Sequence, residues 1–467
     1  MPKLTIDGKQ LEFSLGENLI EIAKRGKIDI PYFCYHPGLS VVAQCRMCTV
    51  EVEKNPKLQT ACSTPAQDGM VVFTNSEKAK QNQSSVMEFL LINHPLDCPI
   101  CDKSGECDLQ DNSYKHGDSY MRTSEDRRTY LDLDMGPVIK KNMNRCIHCT
   151  RCIRFGEEVA GVREMVAIHR GNSTEISTID GKPLETDYAG NYSDICPTGS
   201  LTLKDFRFKK RAWMLQKTPT ICEGCSKGCN MEAQHDAGVV YRCIPRTNMD
   251  INKHWMCDEG RFNYGYVNRE DRQIYPWLNG VESNWSQLAF ELNSALHQKT
   301  LILAGTDLTQ EELGLLKGIV EKNPSQLQIR HFGTEGVDSV AKDGEADKFL
   351  KRKSKTSNLH GAEALGILPF NGQTEGASNV WVVRGGRATV PQIQGAQKVY
   401  GIGVFFFEEL TQFKGVAPGL SFLEKDGTIV NYQGKSQQLK RAIRPLGQSK
   451  ALSEVLMMAL HSKSGAA

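Results

Sequence analysis

The chain opens on alternation. In "MPKLTIDGKQLEF" the apolar residues Leu4 and Ile6, then Leu11 and Phe13, recur every second position on either side of Asp7-Gly8. That pattern predicts a hairpin. "ENLIEIAKRG" switches to helical spacing and meets Gly26, which predicts a short amphipathic helix. "MCTVEVE" reads as a strand after a loop. Residues 81–93, "QNQSSVMEFLLIN", carry Val86, Phe89, Leu90 and Leu91 at helical spacing. Residues 140–210 hold a loop and then a segment rich in Gly and Thr, and "FRFKKRAWML" (206–215) closes it as a basic, partly buried strand. Residues 216–260 are turn-rich. From about 271 the character changes. "TLILAG", "VWVVRGG" and "VYGIGVFFF" read as buried strands, and "QEELGLLKGIVEK" and "ALSEVLMMALHS" as helices. Such alternation predicts an α/β domain. "EKNPSQ" and "KRKSKTSN" read as loops, with the basic run Lys351–Lys355 solvated.

Composition narrows the class. The 467 residues allow three or four domains, and 39% hydrophobic content predicts a soluble globular protein. A net charge of +2 argues against a nucleic-acid surface or an acidic tail. The N-terminal stretch lacks the pattern of a signal or transit peptide. No apolar run reaches the length of a membrane span, so membrane association is expected only through partners. The cysteines change the picture most. All sixteen fall between Cys34 and Cys257, in clumps with C-x-x-C spacing. Metal binding explains that better than a disulfide scaffold.

The clumps resolve into groups. Cys34, Cys45, Cys48 and Cys62 form the first, with its C-x-x-C pair before a strand. Four thiolates suit structural zinc. The surrounding strand–helix order predicts a β-grasp, the fold of small 2Fe–2S ferredoxins, although the first gap departs from the plant-type spacing. Cys146, Cys149 and Cys152 in "CIHCTRC", with Cys196 in "DICPTGS", match the bacterial ferredoxin grip on one 4Fe–4S cube. His148 inside that loop reads as a surface or hydrogen-bonding residue. Cys222, Cys225 and Cys229 are followed 28 positions later by Cys257, the spacing that opens molybdopterin-dependent oxidoreductases. "HPLDCPICDKSGEC" supplies Cys98, Cys101 and Cys107, and Cys243 remains. Cys243 reads as a buried free thiol. His94 has two readings, a capping or core histidine and a fourth ligand. Pro95 biases it away from helical backbone, and three cysteines without a fourth partner favour ligation. Fifteen cysteines and one histidine then make four sites of four.

The order of these groups resembles the large iron–sulfur subunit of the peripheral arm of respiratory complex I, the NADH–quinone oxidoreductases. "CRMCTVEVE", "HPLDCPICDKSGECDLQD", "NRCIHCTRCIRFGEEVAG", "DICPTGSLT" and "CDEGRFNY" carry the resemblance through residues 30–265, and "FLEKDGTIVNYQGKSQQLKRAI" extends it weakly. It implies an α+β multidomain chain. Residues 1–80 would be the 2Fe–2S domain, 81–120 a one-His/three-Cys 4Fe–4S segment, and 121–215 a 4Fe–4S ferredoxin-like domain. Residues 216–270 would be a molybdopterin-oxidoreductase-type 4Fe–4S domain, and 271–467 a shortened α/β remnant without pterin. His94 with Cys98, Cys101 and Cys107 would hold one cube, and the fourth group a cube that only some members keep. The implied cofactors are one 2Fe–2S and two or three 4Fe–4S clusters, with no flavin on this chain. The implied partners are a flavin- and NADH-binding subunit, a downstream iron–sulfur subunit and other peripheral-arm subunits, with no nucleic acid. The expected place is the cytoplasmic face of the bacterial inner membrane, or the matrix side in mitochondria.

The residues themselves offer no hydride chemistry. There is no G-x-G-x-x-G after a strand; "RGG" at 384–386 and "GIG" at 401–403 read as turns or close packing. No nucleophile–base arrangement stands out. The chain is expected to relay single electrons within a larger oxidoreductase. Rival readings are the iron–sulfur subunit of a hydrogenase or formate dehydrogenase, and a zinc-stapled scaffold.

Overall fold

The computed structural model describes residues 1–333, 347, 349–386 and 388–462. The chain divides into two compact units, Met1–Met214 and Leu215–Ala467.

In the first unit, β1 (Lys3–Ile6) and β2 (Lys9–Glu12) form the expected hairpin. Asp7 and Gly8 both take positive φ, as a two-residue turn of this hand requires. Helix α1 (Leu19–Arg25) is capped by the Asn18 side chain and ends at Gly26. β3 (Thr49–Val52), β4 (Gln59–Thr60) and β5 (Val71–Phe73) complete a sheet of order β2-β1-β5-β3-β4. Leu19, Ile20, Ile22 and Ala23 of α1 pack on Leu4, Ile6, Val50 and Val72, and Cys48 and Cys62 share that core. Helix α2 (Glu77–Leu91) starts four residues before the periodicity announces it, because Ser76 caps it. Its buried stripe is Ala79, Gln83 and Met87, and the polar Gln83 hides the pattern. Helix α3 (Asp108–His116) follows the "CPICDKSGEC" loop.

Residues 206–215 are not a strand. They form turns and a short 3-10 helix at Ala212–Met214. Phe208 adopts φ 62°, outside any strand, and its N–H goes to the Asp102 carboxylate at 2.8 Å. The Arg211 guanidinium donates to the carbonyls of Cys101 (2.8 Å) and Pro99. The apparent alternation came from Phe208 and Trp213, which are exposed. The segment wraps the cysteine loop instead of joining a sheet.

The second unit begins with three antiparallel strands, Gln216–Ile221, Asn230–Asp236 and Val239–Pro245. One apolar cluster joins Ile221, Met231 and Val240 to Phe422, Leu423, Ile429 and Ile443 near the other end of the sequence. A seven-stranded sheet forms the larger part. Its parallel strands lie in the order Leu327–Phe332, Thr300–Gly305, Asn379–Arg384, Lys398–Gly403, Gly415–Pro418. Ile302 and Ala304 face one apolar cluster and Leu301 and Leu303 another, which is why these strands read as unbroken apolar runs. The helices Trp285–Leu296, Gln310–Lys322 and Leu452–His461 include the two expected from sequence. "GIG" and "RGG" meet by close packing, since a Cβ on Gly403 would lie 1.9 Å from the Arg384 carbonyl oxygen.

The basic run Lys351–Lys355 is not a solvated loop. Arg352 and Ser354 are buried, and the Ser354 carbonyl accepts the Ser226 N–H at 3.1 Å. Lys353 stays exposed, while Lys355 pairs with Glu259 at 2.7 Å. Among the described residues no helix is long and apolar enough to cross a membrane.

Candidate functional site

The first four cysteines come together at the edge of the β1–β5 sheet. Ala43 and Arg46 hold left-handed φ of 51° and 61° around Cys45. Side chains seldom take that region, and it turns successive N–H groups to one side. A bond with Cys34, together with burial, pushes the Cys45 thiol up. Cys62 feels a lowering bond from Cys34, but Cys48 and burial outweigh it and raise the thiol to about 12.

The second group lies between α2 and α3. The His94 N–H closes onto the Leu91 carbonyl at 3.1 Å, just past the end of α2. Burial, then the Arg145 cation, lowers the ring to about 4, so the imidazole is neutral. His94, Cys98 and Cys107 line one cavity with Leu109 and Tyr120. Cys107 is the N-cap of α3 without a side-chain cap bond, and the Gln110 and Leu109 N–H groups of the first turn only partly oppose the rise that burial gives its thiol. Burial raises Cys107 to about 12, and also raises Cys101. Cys101 couples electrostatically to both Cys98 and Cys107. Gly199 faces it, and a Cβ there would lie 2.1 Å from the Cys101 sulfur. Cys98 alone of the four is exposed.

Cys146, Cys149, Cys152 and Cys196 line a single enclosed cavity with Thr198, Ser200 and Lys141. His148 and Thr150 take φ of 53° and 57°, and the His148 N–H points to the Cys146 sulfur at 3.4 Å. The His148 ring is engaged elsewhere, with Nε2 2.9 Å from the Thr174 carbonyl. Burial raises Cys146 to about 11 and Cys149 to about 12, and pushes Cys152 well up too.

In the second unit, Cys229 couples electrostatically to Cys222, Cys225 and Cys257. The Gly224 N–H meets the Cys222 sulfur at 3.3 Å and the Gly260 N–H the Cys257 sulfur at 3.4 Å. A Cβ on Gly260 would come within 2.8 Å of the Cys222 sulfur. Burial raises Cys225, Cys229 and Cys257. Cys243 is buried in the apolar cluster that also holds Cys222 and Cys229, and carries Arg261 on its carbonyl at 3.2 Å. Among the described residues, no three His, Cys, Asp or Glu side chains close on one point as ligands of a single ion do.

Sequence reasoning missed the arginines between the sites of the first unit. Arg154 is buried and donates to the carbonyls of Cys34 (2.6 Å), Cys149 (3.2 Å) and Ser40. Arg145, beside Cys146, donates to Asp97, beside Cys98, at 2.9 and 3.1 Å. The Cys107 sulfur lies 3.6 Å from the Pro197 carbonyl, next to Cys196. The third group is thus bonded to both others. The first and second meet through an apolar cluster of Phe33, Met47 and Met87 that also takes in Cys45 and Cys107, and through Asn82 of α2, which donates to the Arg46 carbonyl at 3.2 Å. The signal was present as the three arginines Arg145, Arg151 and Arg154 interleaved with "CIHCTRC".

The parallel sheet has its own candidate position. The strand order reverses between Thr300–Gly305 and Asn379–Arg384, where ligands of such sheets commonly bind. Here the buried Asp307 carboxylate accepts the N–H groups of Gly385, Gly386 and Ala388, each at 2.9 Å.

Four family models match in chain order. They are a 2Fe–2S iron–sulfur cluster binding domain over residues 2–77, and the NADH-ubiquinone oxidoreductase-G iron–sulfur binding region over 83–121. The ferredoxin-like domain of NADH-quinone oxidoreductase subunit 3 matches 136–202, and the molybdopterin oxidoreductase Fe4S4 domain 215–269. With the cysteine sites, they define a multi-centre iron–sulfur protein. The NADH-quinone oxidoreductase-G protein of Rickettsia felis is 41% identical over 330 residues, 69% of this chain and 49% of the relative. The NADH-ubiquinone oxidoreductase 75 kDa subunit of Reclinomonas americana is 43% identical over 270 residues, 58% of this chain and 39% of the relative. The chain belongs to this family of NADH-quinone oxidoreductase iron–sulfur subunits. It spans about half the length of the curated relatives it matches. A crystal structure of NAD+-reducing [NiFe]-hydrogenase aligns with a TM-score of 0.42 and 29% identity, covering 45% of this chain and 90% of that one.

Proposed function

We propose that this chain is an electron-relay subunit of an NADH–quinone oxidoreductase. It takes single electrons from a flavin-bearing partner and delivers them to a downstream iron–sulfur subunit and so towards quinone. The ligand sets are Cys34, Cys45, Cys48 and Cys62 for a 2Fe–2S cluster. His94, Cys98, Cys101 and Cys107, then Cys146, Cys149, Cys152 and Cys196, then Cys222, Cys225, Cys229 and Cys257, serve 4Fe–4S clusters. The proposed modules keep the boundaries 1–80, 81–120, 121–215, 216–270 and 271–467, on the cytoplasmic or matrix face of the membrane.

The observation that carries this reading is the linkage of three thiol-rich sites within one compact unit through Arg154, Arg145 and Pro197. The donor sets fit the clusters. All the thiols but Cys98 are at least partly buried, backbone N–H groups point at sulfur, and Gly199, Gly224 and Gly260 leave room that a Cβ would fill. When bound, such clusters accept and release one electron at a time.

The chain's own part is positional. Arg154 fixes the backbone of Cys34 against that of Cys149, and Arg145 ties Asp97 to the third group. Those cations and N–H groups offset the negative charge of buried thiolates. His94 contributes a neutral ligand where the other sites have thiolate, which makes its site easier to reduce. The relay order is then first, third, second. In the second unit, Asp307 fills the N–H nest at the strand reversal, which supports a scaffold role for the parallel sheet.

Iron and acid-labile sulfide analysis tests the reading. About fourteen irons per chain are expected, with matching sulfide. Zinc without sulfide overturns it in favour of a scaffold. Low-temperature EPR of His94→Ala and His94→Cys tests the second site. Loss of one signal in the first and a shifted signal in the second are expected. If both variants leave every signal unchanged, His94 is not a ligand.

A further inference from the structure

The fourth cysteine site lies under the basic run that sequence placed in solvent. Arg352 is 6% exposed and Ser354 is 2% exposed. Burial raises the Cys225 thiol and the nearby Lys227 and Arg352 N–H groups oppose that rise, and Ser354 anchors the run to Ser226, the residue after Cys225. The Arg352 guanidinium stacks 3.5 Å from the Tyr432 ring centre, and Lys227 lies over the same ring at 5.1 Å. Lys355 Nζ sits 2.7 Å from Glu259, two residues past Cys257. Its charge acts on Cys225, while that of Lys351 acts on Cys257. Glu259 acts on the same two sulfurs with opposite sign, and Glu223 and Asp258 add carboxylates beside the ligands.

We propose that the strap Lys351–Lys355 is a positioning element for the fourth site that raises the reduction potential of the cluster held there. This rests on the reading that Cys222, Cys225, Cys229 and Cys257 hold a 4Fe–4S cluster. Such a centre becomes more negative by one charge on reduction. Fixed cations beside it therefore stabilise the reduced state more than the oxidised one, and burial strengthens the effect by lowering the local dielectric. An N–H group near a ligand sulfur acts in the same direction. The strap supplies both, Arg352 the N–H and Lys351 and Lys355 the charge. Its attachment through Ser354 and Tyr432 keeps those groups in place in either redox state.

The test is an EPR-monitored redox titration of the full chain in its assembled complex. The double variant Lys351→Gln/Lys355→Gln is expected to lower the midpoint of the fourth signal by about 59 mV, a tenfold shift in the reduction equilibrium. The other signals should not move. Lys351→Arg/Lys355→Arg keeps the charges and is expected to keep the midpoint, which separates charge from a general loosening of the fold. A fourth signal whose midpoint is unchanged in the Gln pair overturns the proposal. A fourth signal missing from the unaltered protein, with iron short by about four, overturns both the proposal and the cluster reading on which it rests.

Discussion

Single side chains set the tolerances of the cysteine sites. Gly199 has space for a hydrogen but not a methyl group, because a Cβ would stand 2.1 Å from the Cys101 sulfur. Gly199→Ala is therefore expected to displace that sulfur and remove about four irons per chain, read by iron content. Full iron retention would show that Cys101 does not need this position. Arg154 is a second case. Truncating it leaves the Cys34 and Cys149 carbonyls without this donor in a buried setting, and frees the Ser40 carbonyl nearer the surface. Arg154→Ala is expected to destabilise the first unit by about 2–4 kcal/mol in denaturant melts. Arg154→Lys keeps the charge but not the fork, and should fall between the two.

At the scale of elements, strand Leu327–Phe332 carries a buried histidine with no chemistry assigned to it. His331 is 5% exposed, and neither ring nitrogen finds a hydrogen-bond partner among the described residues. Burial lowers the ring from 6.5 to about 4. The unfolded chain therefore binds the proton more tightly than the folded one. The neutral ring is fully compatible with the fold above pH 6.5, and stability falls as pH drops from there towards 4. Between pH 7 and 5 the loss is expected to be about 2 kcal/mol. Comparing melts of the parent and His331→Leu isolates that slope; equal slopes would remove His331 from the account. Elements also show what was legible in sequence. The β1–β2 turn, the buried parallel strands and helix Gln310–Lys322 could be read because pattern and packing agree there. The start of α2 was hidden by the buried Gln83, and residues 206–215 mimicked a strand with exposed aromatics. The strap Lys351–Lys355 was misread because its partners, Ser226, Glu259 and Tyr432, lie far away in sequence.

For the molecule as a whole, the groupings of cysteines were legible from local spacing, while the bonds between groups were not. C-x-x-C spacing reports a loop, whereas Arg154 and Pro197 report tertiary contacts across 120 and 90 positions. Those contacts make a testable statement about order. Spin-relaxation coupling in the reduced protein is expected to be strong between the first and third signals and between the third and second, and weakest between the first and second. Stronger coupling between first and second would reroute the relay through Phe33, Met47 and Met87.

The same long-range contacts bear on how the protein is made. The loop from His94 to Cys107 is covered by Pro197, Gly199, Phe208 and Arg211, all of which are synthesised about ninety residues or more after Cys107. At ordinary translation rates that is an interval of about 5–20 s. During it the loop has left the ribosome without its cover, and its thiols are open to iron and sulfide delivery or to oxidation. Once Phe208 reaches Asp102, Cys101 and Cys107 are covered and only Cys98 of the three thiols stays exposed, so later delivery to this site would have to come from the Cys98 side.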